Sequence, residues 1–176
     1  YYQLMRTRVN VDATVDSNTH AFIQFQDSRM FGDTDQFGEW QSGTLSDGKN
    51  VDIHQAFIQV DRIGFDGLGA RAGRFEFNLG NQRVFGAVGW SNVGRAWEGM
   101  EAWYSRPNYM LTAFFLRRTN NLDLYHYRDF NLFGGVFNID VINAEFFGVY
   151  EYDNDGSGGV NNLDRASFGC YLKQQN

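Results

Sequence analysis

The chain has 176 residues, a formal net charge of -6, 17% aromatics, 20 glycines, one proline and a mean hydropathy of -0.45. The acidic balance argues against a nucleic-acid surface, and the lone Cys170 excludes an internal disulfide. No stretch approaches the roughly 18 apolar residues of a transmembrane helix, so any membrane crossing is by strands.

The first element announces the class. From Met5 to Val15 one parity reads Met5, Thr7, Val9, Val11, Ala13, Val15 and the other Arg6, Arg8, Asn10, Asp12, Thr14, a strict period of two. Ala21, Ile23 and Phe25 then alternate with Gln24 and Gln26, and Ala56, Ile58 and Val60 with Gln55, Gln59 and Asp61. Met100, Ala102 and Tyr104 alternate with Glu101 and Ser105. Ala144, Phe146 and Tyr150 follow against Glu145 and Glu151, and Ala166, Phe168, Cys170 and Leu172 against Arg165, Ser167 and Lys173. Each pattern predicts a strand with one apolar and one wet face, and about nine strands fit the chain with no helix.

The connections alternate in length. Asp16-Ser17-Asn18, Phe65-Asp66-Gly67, Pro107-Asn108 and Asp140-Val141-Ile142 read as tight turns. Ser28 to Asn50, Asn78 to Arg95, Thr119 to Arg128 and Asp153 to Leu163 read as long polar loops. Such alternation is the habit of an outer-membrane barrel, with short turns periplasmic and long loops extracellular. The expected fold is all-β: an antiparallel up-and-down transmembrane β-barrel forming a single domain over residues 1–176. On that topology the first strand runs inward from the outer surface, so at least one strand is expected before Tyr1. Nor does the end at Gln174-Gln175-Asn176 carry a closing aromatic. A domain incomplete at both ends, within a larger barrel, is the expectation. Tyr1, Tyr2, Trp97, Trp103, Tyr104 and Tyr109 are candidates for interfacial aromatic girdles.

Several segments in series resemble the alginate-export family of outer-membrane porins. They are Gln3-Leu4-Met5-Arg6-Thr7-Arg8-Val9, Phe22 to Arg29 with Phe31-Gly32-Asp33, and Val51 to Phe57. Gly73-Arg74-Phe75-Glu76, Gly80-Asn81-Gln82-Arg83, Gly89-Trp90-Ser91-Asn92, Gly94-Arg95 and Trp97-Glu98-Gly99 continue the series in the family's order. The likeness runs from Gln3 to Tyr104, with Phe75 and Trp97 as variants within the motifs. It implies an eighteen-stranded barrel, of which this chain is about half, with an Arg-rich lumen passing an anionic polysaccharide or other anionic solute.

The residues support a wet lumen on their own terms. Charged strand residues are tolerated only away from lipid, so Arg6, Arg8, Gln24, Gln26, Gln55, Gln59 and Glu101 are expected to line the pore. Arg74 and Glu76 are two residues apart and are expected to share the inner face. Arg83 and Arg95 flank a Gly-rich loop, and guanidinium forks match carboxylates. Arg74, Arg83 and Arg95, oriented by Glu76, are therefore expected either to form a constriction for a carboxylated solute or to pair with carboxylates and brace an inward-folded loop. The alternative to an open channel is a plugged structural or surface-assembly barrel.

Other chemistry is sparse. Asp153, Asp155, Ser157, Asn161 and Asp164 follow the oxygen spacing of a calcium loop, with Gly158 and Val160 inside it, but Asp stands where a bidentate Glu is usual. A solvated hairpin loop gives the same pattern. His20, His54 and His126 lack metal-ligand spacing, and Asp52 with His54 has no identifiable nucleophile to serve. The expected partners are outer-membrane lipid and a polar or anionic solute, with no enzymatic activity and no cofactor beyond that possible calcium ion.

Overall fold

A computed structural model describes residues 2–32, 49–117, 130–153 and 163–172. The alternating segments form nine strands: β1 (Tyr2–Thr14), β2 (Thr19–Gly32), β3 (Lys49–Val60), β4 (Leu68–Phe75), β5 (Trp97–Arg106), β6 (Tyr109–Arg117), β7 (Phe130–Ile139), β8 (Ala144–Asp153) and β9 (Leu163–Leu172). They pair in chain order, each antiparallel to the next, as one meander. The sheet is open: β1 and β9 are its two edges and do not pair with each other. A single 3-10 turn, Asp140–Ile142, is the only helical element among the described residues.

The four short turns fall at one end of the strands. In the first, the Asp16 carboxylate accepts the Asn18 backbone N–H at 2.8 Å, and that bond, helped by Thr19, holds the Asp16 carboxyl below its ordinary value. In the last, Asn143 takes the left-handed conformation and its N–H donates to Asp140 O at 3.2 Å. At the opposite end, β2 runs four residues past the expected loop start at Ser28, because its ladder with β1 continues to Tyr2↔Gly32. Polar Ser28 and Arg29 look like loop in the sequence but belong to a paired strand.

Register places matching side chains in rows across the outer face. Ile58, Ala72, Met100, Phe115, Phe133, Tyr150 and Ala166 form one row, and Leu68, Tyr104, Leu111, Phe137, Phe146 and Cys170 another. On β5 this apolar band lies between Glu98 and Arg106. At about 3.4 Å per residue those charges stand about 27 Å apart along the strand, or about 21 Å in height at the ~40° tilt usual in membrane barrels, close to their ~25 Å apolar band. Aromatic rings follow one another along the short-turn end: Phe65 on Tyr104 (6.0 Å), Tyr104 on Tyr109 (6.4 Å) and Tyr109 on Phe137 (6.1 Å).

The core sits on the other face. Phe75, Trp97, Leu116 and Leu132 are fully buried there, joined by Phe114, Val136 and Val149 and by Phe77, Leu79 and Phe85 from the connection 76–96. That connection reaches both ends of the sheet. Its Ser91, Asn92 and Val93 carbonyls meet β1 and β2, while a Cβ on Gly80 would lie 3.4 Å from Glu145 on β8 and 3.6 Å from Tyr171 on β9. In a flat sheet β2 and β8 would be about 29 Å apart, at ~4.8 Å per strand. A loop folded on itself touches both, so the sheet curls round it and the inner face is concave.

Candidate functional site: a braced loop across the inner face

The loop 76–96 is built from backbone reversals. Gly80 and Gly94 have φ of +54 and +74, and Gln82 and Val88, which are not glycines, have φ of +63 and +52. Leu79 N–H donates to Phe85 O, Arg95 N–H to Ala87 O and Ser91 N–H to Val88 O, and the Asn78 side chain accepts the Ala87 N–H at 2.8 Å. Phe77 stacks on Phe114 with ring centroids 4.6 Å apart, and Phe85 meets Trp97 edge-on at 6.4 Å. Apolar side chains thus seat one flank of the loop on β4 to β8.

Polar side chains of β1 to β3 hold the other flank. Arg6 donates to Ser91 O at 2.8 Å and lies 3.5 Å from Gly89 O. Gln26 donates to Val93 O at 2.6 Å, the Ser28 hydroxyl to Asn92 O at 2.9 Å, and the Asn92 amide to Met5 O and Arg29 O at 3.3 Å. Gln26 and Ser28 are buried in these contacts. Each satisfies backbone groups that would otherwise be stranded away from water.

Where the loop leaves β4, Glu76 is caught between two bases. Its Oε1 lies 2.8 Å from His54 Nε2 and 3.1 Å from Arg8 Nη1, its N–H donates to Gln55 at 3.0 Å, and Arg8 also donates to Gln26 at 2.6 Å. Arg8 Nη2 is 3.1 Å from His54 Nε2 as well. His54, 7% exposed, therefore serves as a polar bridge, with its ring nitrogen committed to the loop.

Arg74 and Glu76 do not share a face, contrary to the expectation. β4 ends at Phe75, whose ring enters the core, and Glu76 turns inward after it. Arg74 keeps the parity of Ala70 and Ala72; it donates to Ile53 O at 2.9 Å and lies 3.7 Å from Asp52 and 3.3 Å from Glu98. Glu76 orients none of the three expected constriction arginines. Arg83 is exposed, and Arg95 lies over the Trp97 ring at 5.9 Å. Trp97 is 1% exposed within the inner core, and Trp103 shares its parity, so neither belongs to an outer girdle. Tyr104 and Tyr109 stand in the outer aromatic chain.

The remaining expected residues sit in smaller groups. Gln24 accepts from Gln55 at 3.3 Å and donates to Asn10 at 2.8 Å, and Gln59 donates to Asp61 at 2.6 Å. Glu101 faces Arg71, with 2.8 Å between Oε1 and Nε. The sequence reading passed over Arg71, although it has the parity opposite to Ala70 and Ala72; its guanidinium lies 4.1 Å from the Phe75 ring centroid and 5.4 Å from that of Phe57. Glu151, buried on the inner face, pairs with Arg165 across β8 and β9. The inner surface is thus divided, with polar bracing on β1 to β3 and an apolar seat crossed by ion pairs on β4 to β9.

The family model for alginate export matches residues 1–139. The chain belongs to the alginate export family. No curated protein matches it. Alginate export proteins are transport porins rather than enzymes and reside in the outer membrane, which agrees with an apolar outer face and an inner one that carries the arginine and carboxylate pairs. Of the calcium-loop candidates in this family member, Asp155, Ser157 and Asn161 lie outside the described residues, as does the Asp153 side chain. Asp164 is described, and it accepts the Tyr150 hydroxyl.

Proposed function

We propose that this chain forms part of the wall of a larger, eighteen-stranded porin barrel that passes an anionic solute, such as an acidic oligo- or polysaccharide, past a constriction made by the loop 76–96. The observation that carries this reading is the loop itself, held across the concave face from both sides. A connection left in solvent would need no such seat. Arg6 and Arg83 stay exposed and offer guanidinium to a carboxylated solute, while Arg8 and Arg71, paired with carboxylates on the inner face, shape the passage. The long connections face the cell exterior and the short turns the periplasm, by analogy with the habit of such barrels. The outer apolar face meets lipid.

A second reading, a plugged structural barrel, draws on those same pairs, since Glu76 and Glu101 are both neutralised by neighbours on the inner face. Single-channel recording of the full-length parent protein in a planar bilayer separates the two. A steady anion-preferring conductance, reduced by an acidic oligosaccharide added to one side, is the expected result. Correctly inserted protein without conductance would reject the open channel in favour of the plug.

A further inference from the structure

Trp90 has no packing role that accounts for its position. It is 88% exposed, the most exposed of the large apolar side chains among the described residues, on a loop whose other aromatics are all buried. Its support is rigid. Ser91 N–H closes a turn on Val88 O at 2.9 Å, and Val88 is a β-branched residue at φ +52, a conformation that costs free energy and recurs at ligand-contacting sites. Ser91 is buried, and Arg6 donates to Ser91 O at 2.8 Å and reaches Gly89 O at 3.5 Å, so the carbonyls on either side of Trp90 are tied to β1. Arg6 differs from the other bracing arginine, Arg8: no carboxylate among the described residues pairs with it, and its positive charge is held at the two backbone carbonyls that flank Trp90.

We infer that Trp90 and Arg6 form a binding subsite for one acidic pyranose unit, the indole face stacking on the sugar ring and the guanidinium receiving its carboxylate. This rests on the porin reading above and adds to it a residue that selects by shape as well as charge. Ring stacking and ion pairing make separable demands on a ligand. A neutral sugar satisfies only Trp90, and a non-sugar polyanion only Arg6.

Binding is measured by calorimetry on the full-length protein refolded in detergent, with oligogalacturonate, maltohexaose and hexaglutamate as probes. Wild type is expected to bind oligogalacturonate most tightly. Trp90→Ala is expected to weaken both sugars about five- to tenfold, the worth of one aromatic face, and to leave hexaglutamate unchanged, with Trp90→Phe recovering part of the loss. Arg6→Gln is expected to weaken both anions several-fold more than maltohexaose, whose only loss would come from the loosened support of Trp90. Because Trp90 is almost fully exposed, its removal leaves folding intact, which the heat-modifiable gel shift verifies. Unchanged oligogalacturonate affinity in folded Trp90→Ala, or equal losses for all three probes, would overturn the subsite. Conductance of the same preparations, recorded separately, reports on the porin reading, so the two ideas can fail independently.

Discussion

At the scale of single residues, the junction between β4 and the loop depends on one carboxylate. Glu76 accepts from His54 and Arg8 through the same Oε1, with Gln55 capping its backbone. Glu76→Gln keeps the shape and removes the charge, leaving Arg8 uncompensated in a half-buried site. We expect a loss of about 1–3 kcal/mol in the anchoring of the loop, read as a lower temperature for the heat-modifiable gel shift and as noisier single-channel current; an unchanged melting temperature and quiet current would show that the apolar seat alone holds the loop. The sequence made Arg8, His54 and Glu76 visible as polar residues but not as a triangle. Their meeting depends on where β4 stops, and nothing local distinguishes Phe75 as its last residue, since Glu76 continues the parity of Arg74.

Among the elements, the strands were legible and the inner core was not. Period two in β1, β2, β5, β8 and β9 foretold which side chains face outward, and turn chemistry at Asp16, Asp66, Pro107 and Asp140 foretold the reversals. No alternation marks β6 and β7 in the sequence, and on their inner faces Phe114, Leu116, Leu132 and Val136 are buried under the loop. A signal was present in β6: Leu111, Ala113 and Phe115 on one parity and Phe114 and Leu116 on the other make it apolar on both, the mark of a strand covered twice. What covers it is set by a connection that arrives from β4, which no periodicity encodes. Phe77→Ala tests that cover. Removing a 5% exposed ring stacked on Phe114 should cost about 3–5 kcal/mol of loop docking, seen as protease sensitivity within 76–96 and a larger conductance, while the strands persist by circular dichroism. Retained protease resistance would show that the hydrogen bonds to β1 and β2 suffice.

For the molecule as a whole, the outer face makes a demand that a soluble sheet would not. Ala113 lies midway between the charged ends of the apolar band, in the row of Ala70, Ala102, Gly135 and Gly148. An arginine there should cost about 2–4 kcal/mol in a bilayer and lower the yield of folded protein in lipid vesicles, whereas the same change at exposed Gln82, in the loop, should be tolerated; equal yields would contradict the assignment of that face to lipid. The loop's two attachments also carry a consequence for assembly. Arg6 and Ser91 are 85 positions apart in the chain, and Met5 and Asn92 are 87. Hairpins between neighbouring strands close locally and fast, but this loop finds its partners only after the ribbon has bent far enough to bring its early and late strands to one place. The loop thus works as a gauge of curvature: a wall bent too little or too much leaves one attachment unmade, and the last hydrogen bonds to form certify that the wall has reached its working radius.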